Sequence, residues 1–97
     1  MDQPSQDDEV WLEDVALRLN ELAWKRASDD GVDLHVELGT NAKWVDIYAD
    51  RTALLIVAAS CLKGALSEGP LWSHSVDEAS YANPGSLPVE FHRASPT

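Results

Sequence analysis

The sequence predicts an α+β domain, because a helical repeat and a strand repeat occupy different parts of one short chain. In two segments apolar residues recur every three or four positions, which is the period of an amphipathic or buried helix. In other segments apolar and polar residues alternate strictly, as in strands with one buried face. We therefore expect the order α-β-β-α-β-β, with a mainly antiparallel four-stranded sheet packed on the central helix.

The first helix is predicted from about Asp8 to Ala27, and Gly31 ends it because glycine readily takes a positive φ angle. Its main apolar stripe consists of Leu12, Val15, Ala16, Leu19, Leu22 and Ala23. A second apolar stripe, Val10, Leu17 and Trp24, recurs every seven residues on nearly the opposite side. This second stripe indicates the seam of a homodimer, a site for another partner, or a helix that lies in a groove.

The next segment predicts a hairpin with two chemically different faces, joined by a turn at Gly39–Ala42. The apolar face comprises Val32, Leu34, Val36, Leu38, Val45, Ile47 and Ala49. The outer face comprises Asp33, His35, Glu37, Trp44, Asp46 and Tyr48. Aromatic contact area combined with negative charge is typical of a binding surface for a basic protein. The alternative is that a second layer of the fold covers Trp44 and Tyr48.

The second helix is predicted from Arg51 to about Glu68, with Asp50 as its N-cap. Because it is apolar almost all round, we expect it to be the central core helix. Gly64 within it should permit the close approach of a strand, although glycine costs ~1 kcal/mol relative to alanine there.

The last third predicts two strands joined by a loop at residues 77–86. The first strand covers residues 71–76 and the second covers residues 87–92. Pro88 restricts the final strand to an edge position or to a strand start, because proline has no N–H to donate. With 97 residues the chain has room for one domain, residues 1–97, with flexible ends at residues 1–7 and 94–97.

The charge balance argues for a basic protein partner. The chain has 17 acidic and 7 basic residues, a net charge of −10, which repels nucleic acid and anionic membranes. No apolar stretch reaches the ~20 residues that span a bilayer, and the N-terminus does not resemble a signal peptide. The single cysteine, Cys61, cannot form an internal disulfide, so we expect a reduced, cytoplasmic location.

No arrangement of residues predicts catalysis or a metal site. His35, His74 and His92 have no compact ligand spacing, and no second cysteine is present. Ser73, His74 and Ser75 are neighbours on one strand and point to opposite faces, which does not make a nucleophile–base pair. We therefore expect no enzyme, no metal and no cofactor.

Three segments together resemble a family of bacterial polymorphic-toxin immunity proteins, immunity protein 32. They are Trp44–Arg51 leading into the apolar helix, Ser73–Glu78, and Pro84–Phe91, within a match of roughly residues 32–92. The chain departs from the family pattern in having one histidine where a His-x-His is expected, and in Pro88. The resemblance implies a cytoplasmic antidote that binds and blocks a toxin domain, with no catalytic residue to carry over.

We expect a small acidic protein that neutralises a cognate basic toxin, such as a nuclease, by stoichiometric binding. The candidate partner-binding residues are Asp33, His35, Glu37, Trp44, Asp46, Tyr48 and Glu90. One alternative is a nucleic-acid mimic that inhibits a DNA-binding enzyme. The other is an accessory or scaffold subunit that self-associates through Val10, Leu17 and Trp24.

Overall fold

The described residues form an α+β structure with two α-helices and two small antiparallel sheets, which confirms the predicted class and element order. The computed structural model describes residues 6–67 and 72–93. Its elements are α1 (Gln6–Asp30), β1 (Leu34–Leu38), β2 (Val45–Ala49), α2 (Arg51–Leu66), β3 (Ser73–Val76) and β4 (Val89–His92). Neither helix in this part of the chain combines the length and the apolar character needed to cross a membrane.

Helix α1 extends beyond its predicted bounds at both ends. Gln6 and Asp7 are already helical, although they were expected to be flexible; residues 1–5 and 94–97, the rest of the predicted flexible ends, lie outside the described residues. Gly31 takes the predicted positive φ of 78°, and its N–H donates to the Ala27 carbonyl at 2.9 Å. This hydrogen bond satisfies one of the carbonyl groups that have no partner within the last turn of a helix.

Helix α2 begins where the sequence predicts, because Asp50 caps it. The Asp50 carboxylate accepts a hydrogen bond from the Ala53 N–H at 2.8 Å. At the other end α2 stops at Leu66, and the predicted end at Glu68 lies outside the described residues. There the Arg93 guanidinium donates to the carbonyls of Gly64, Ala65 and Ser67 at 2.8, 3.2 and 2.6 Å. A cation at this position also suits the negative end of the helix.

Helix α1 packs mainly against α2, and small side chains allow the close approach. Ala16 and Ala23 of α1 are buried, as are Ile56 and Ala59 of α2. Leu22, expected on the packed face, is instead 44% exposed.

Helix α2 is only partly the buried core helix that its apolar sequence predicts. Its buried residues are Thr52, Ala53, Ile56, Ala59 and Gly64. Leu54 is 57% exposed, so one side of the helix is left open. The group that packs closely on Gly64 is the Trp72 indole. A Cβ at this position would lie only 2.7 Å from the ring, so a larger residue would not fit.

The four strands do not confirm the predicted four-stranded sheet. They form two separate two-stranded sheets, β1–β2 and β3–β4, both antiparallel. The reason lies in residues 83–87, which occupy the second edge of β1: the Asn83 and Leu87 N–H groups donate to the carbonyls of Leu34 and Val36, both at 2.8 Å. The turn at Pro84–Gly85 interrupts this segment, and Pro88 has no N–H to donate. Residues 83–88 therefore cannot form a continuous ladder of hydrogen bonds with β1.

The main core lies beneath β1, where Leu34 and Val36 are fully buried. They pack with Ala53 of α2, Val76 of β3 and Ala82 of the following loop. Partly buried apolar residues from β2, α2, β4 and the connecting segments surround this cluster, namely Val32, Ala49, Val57, Tyr81, Leu87, Val89 and Phe91. The first hairpin is thus anchored through β1.

Candidate functional site

The outer face of the β1–β2 hairpin contains most of the predicted partner-binding residues. The register pairs His35 with Tyr48, and Glu37 with Asp46. Residues directly opposite each other in a sheet have Cβ atoms ~5 Å apart, so Glu37 and Asp46 place two like charges on neighbouring positions of one face. Like charges in this position destabilise a hairpin, which makes the Glu37–Asp46 pair an attractive position for a cation from outside.

Trp44 lies next to this carboxylate pair and is exposed, so no second layer within the described residues covers it. Its indole N–H donates to the Asp46 carboxylate at 3.2 Å, and the residue is 51% exposed. The ring lies over Gly39, where a Cβ would approach the indole nitrogen to 1.8 Å. Gly39 has an ordinary φ of −74°, so glycine is needed here for space rather than for conformation. Tyr48, 58% exposed, lies on the same face.

His35 connects the outer face to the rest of the fold. One ring nitrogen lies 3.3 Å from the Glu37 carboxylate, and the other lies 3.3 Å from the Ser86 hydroxyl. Ser86 is buried, and its hydroxyl oxygen also accepts a hydrogen bond from the Val36 N–H at 3.3 Å. The loop that closes one edge of β1 therefore also orients a residue of the candidate site.

Two of the predicted site residues lie elsewhere. Asp33 precedes β1 and accepts a hydrogen bond from the Asn83 side chain, so it fastens the 83–87 segment. Glu90 belongs to the second sheet, where it accepts from the Ser75 hydroxyl at 3.0 Å and pairs with His92 at 3.4 Å. The structure therefore groups His35, Glu37, Trp44, Asp46 and Tyr48 on one hairpin face, and gives Asp33 and Glu90 local partners.

Sequence reasoning missed that the opposite, apolar face of the hairpin is also open. Val45 and Ile47 are each 50% exposed and Leu38 is 57% exposed, although alternation predicted that this face is packed. Below them lies an apolar groove of about 200 Å³ between the hairpin, α2 and the second sheet. Its lining residues are Leu34, Ile47, Ala49, Leu54, Val57, Val76, Val89 and Phe91. The sequence carries no signal of this opening, because its pattern predicts that the central helix packs on this face.

His74 lies in an aromatic cluster. Its ring nitrogen is 2.7 Å from the Tyr81 hydroxyl, and the ring also contacts Phe91. Burial lowers the pKa of His74. Burial, with a smaller contribution from the charge of Cys61, raises the pKa of Tyr81 to about 12. Both shifts favour the neutral forms, as expected of packed side chains. The neighbouring Ser75 hydroxyl donates to the Glu90 carboxylate.

The second stripe of α1 is exposed rather than seated in a groove. Val10, Leu17 and Trp24 are 59%, 57% and 46% exposed, and Trp24 makes an edge contact with Tyr81. The stripe is thus accessible to another molecule. Acidic residues lie between the members of this stripe: Glu13 comes between Val10 and Leu17, and Glu21 comes between Leu17 and Trp24. The spacing of three or four residues places them on the same side of the helix.

No family model, curated protein or solved structure matches this chain. The resemblance to immunity protein 32 therefore stays a prediction from the sequence pattern. Across residues 6–67 and 72–93, no group of three or more His, Cys, Asp or Glu side chains is arranged to hold a metal ion. The chemistry that the described surface offers is recognition of cations and of apolar or aromatic groups.

Proposed function

We propose that the chain is an acidic protein-binding module that neutralises a basic protein by stoichiometric binding, as an immunity protein neutralises its toxin. The observation that carries this proposal is the carboxylate pair Glu37 and Asp46, directly opposite each other and flanked by the exposed Trp44. A lysine or arginine entering between the carboxylates would relieve their repulsion, and its stem would pack on the indole.

Charge supports the same proposal over longer distances. A net charge of −10 attracts a cationic partner and speeds the first encounter, whereas exposed aromatic residues hold the complex once it has formed. The two contributions are separable by experiment, because charges outside the centre of an interface act mainly on the association rate. Loss of a buried aromatic anchor acts mainly on the dissociation rate.

The test begins with the protein encoded beside this chain, co-expressed with and without it while growth is measured. We expect the neighbour to be toxic and the chain to restore growth. With the purified pair, Glu37→Lys together with Asp46→Lys should slow association about tenfold at low salt and weaken the salt dependence, and it should also raise the dissociation rate because the inserted cation loses its carboxylates. Trp44→Ala should raise the dissociation rate roughly thirtyfold, which corresponds to ~2 kcal/mol.

A matched control is available on α1. Glu13→Lys with Glu21→Lys changes the net charge by the same amount at two exposed positions away from the hairpin. If this control slows association as much as the hairpin variant does, the effect is one of overall charge. A neighbouring protein that is neither toxic nor bound, or binding that is indifferent to the hairpin variant, would contradict the proposal.

Self-association through α1 is a second candidate, favoured by the exposure of Val10, Leu17 and Trp24. Light scattering at high protein concentration should then give twice the monomer mass, and Leu17→Glu should restore the monomer. Two identical helices would also bring Glu13 and Glu21 towards their own copies, a repulsion that weighs against this arrangement. A monomeric parent chain removes the second candidate.

A further inference from the structure

Strand β2 has no second neighbour among the described strands, and the hydrogen-bond pattern identifies which backbone groups point to this outer edge. The Gly39 N–H donates to the Trp44 carbonyl at 2.8 Å, and the Asp50 N–H donates to the Asp33 carbonyl at 2.9 Å. Hydrogen-bonded and non-hydrogen-bonded pairs alternate along an antiparallel ladder. Asp46 and Tyr48 therefore direct their backbone groups towards β1, whereas Val45, Ile47 and Ala49 direct theirs outward.

The corresponding groups of β1 are already occupied. Asn83 and Leu87 donate to the outward carbonyls of Leu34 and Val36, and the Val36 N–H donates to the Ser86 hydroxyl. Among the described strands β2 pairs with β1 alone, so nothing comparable occupies its outer edge. An open edge strand is a ready template for another extended chain.

The side chains beside this edge are also suited to an incoming strand. Ile47 and Ala49 line the apolar groove together with Leu54, and Val45 continues the same exposed face towards the turn. On the opposite face lie Asp46 and Tyr48, and Glu37 lies across from Asp46 on β1. A strand added here would place alternate side chains over the apolar groove and beside the carboxylates.

We infer that β2 binds an extended segment of a basic partner by strand addition, and that this segment alternates apolar with lysine or arginine residues. The inference rests on the proposed function and specifies its mode of binding. A second copy fits less well, since symmetric pairing about Ile47 would bring Asp46 diagonally close to its own copy, between chains of net charge −10. Charge complementarity thus selects the basic segment.

The probe is a synthetic peptide of about nine residues in which lysine and valine alternate, long enough to span the edge of β2. Its control has the same composition in block order, all lysines before all valines. We expect the alternating peptide to bind at least tenfold more tightly. In amide hydrogen exchange it should protect Val45, Ile47 and Ala49, because their N–H groups point outward, and leave Asp46 and Tyr48 almost unchanged.

A backbone variant separates strand addition from attraction of charge. Ile47→Pro removes one outward N–H without removing a hydrogen bond to β1, and proline is tolerated on an edge strand in this orientation. Its matched control, Ile47→Ala, loses the same side chain but keeps the N–H. With folding verified by circular dichroism, we expect the proline variant to bind the alternating peptide about tenfold more weakly than the alanine variant.

Each remaining outcome overturns strand addition and leaves the proposed function to its own test. Equal binding of both peptides, lost on Asp46→Lys, would mean that charge alone attracts them. Absence of binding by either peptide would mean that the edge is not a template. Protection of Val45, Ile47 and Ala49 in a peptide-free dimer would mean that a second copy occupies the edge. The growth and kinetic experiments with the natural neighbour do not depend on these results.

Discussion

The two strands of the first hairpin share an alternating sequence but differ in their surroundings. Strand β1 has β2 on one edge and residues 83–87 on the other, and its Leu34 and Val36 are fully buried. In the described part of the chain strand β2 has β1 as its one neighbouring strand, and its Val45 and Ile47 remain half exposed. Alternation therefore determines which residues share a face, whereas contacts from distant parts of the chain determine whether that face is covered. The uncovered strand, β2, contains Asp46, one member of the carboxylate pair.

The largest expected effect comes from placing the same charge in each strand. Leu34→Asp would bury an unpaired carboxylate, which costs several kcal/mol against a total stability of about 5–15 kcal/mol, and should unfold the domain. Ile47→Asp should leave it folded, since half of that side chain already contacts water. Thermal melts of both variants check the difference. If the two variants lose equal stability, the apolar face of β2 is buried and the comparison fails.

Ser86→Ala tests how the covered edge of β1 is held. The variant leaves the buried Val36 N–H without its hydroxyl acceptor, and loss of such a partner costs about 1–3 kcal/mol. Ser80→Ala in the exposed turn after β3 is the control, and it should cost less because water replaces the lost hydroxyl. Urea unfolding measures both. If Ser86→Ala is as stable as the parent chain, a water molecule replaces the hydroxyl as acceptor for the Val36 N–H.

Gly39→Ala tests how tightly the exposed indole is held against the hairpin. The added methyl group would overlap Trp44, so we expect a loss of ~1 kcal/mol as the ring moves away. In a Trp44→Ala background the same substitution should cost almost nothing, because the overlapping ring is absent. A double-mutant cycle measures this coupling. An equal cost in both backgrounds would assign the strain to the backbone instead of the indole.

The smallest expected effect is on the pH dependence of stability, and it distinguishes the partly buried His74 from the exposed His92. Burial lowers the pKa of His74 below its ordinary value of 6.5, so the unfolded chain binds more protons between the folded pKa and 6.5. Stability should therefore rise with pH through that interval and fall as the pH is lowered. His74→Gln should flatten this dependence of the melting temperature, whereas His92→Gln on the exposed side of β4 should retain it. Identical pH profiles for the two variants would contradict the assignment.

Local features of this fold could be predicted from the sequence because they depend on neighbouring residues. The Asp50 cap, the positive φ of Gly31 and the grouping of Glu37, Trp44 and Asp46 on one face are all of this kind. The separation of the strands into two sheets could not be predicted in the same way. It depends on hydrogen bonds between residues about 50 positions apart, such as that from Val36 to Ser86.

The exposure of the candidate site depends on the same distant contacts. Alternation placed Val45 and Ile47 on an apolar face, but it carried no information about which element would cover them. In the structure the central helix α2 leaves Val45 and Ile47 half exposed, so the apolar face and the acidic face are open together. The coincidence of two open faces on one edge strand is what makes β2 a candidate binding strand.

Amide hydrogen exchange of the free chain tests the central claim most directly, because it reports each backbone N–H of the hairpin separately. If β2 is a free edge, Val45, Ile47 and Ala49 exchange rapidly while Asp46 and Tyr48, which bond to β1, exchange slowly. Val36 of β1 should be protected, since its outward N–H is bonded to Ser86. Uniform slow exchange along β2 in the monomer would show that its outer edge is covered, and would contradict the account.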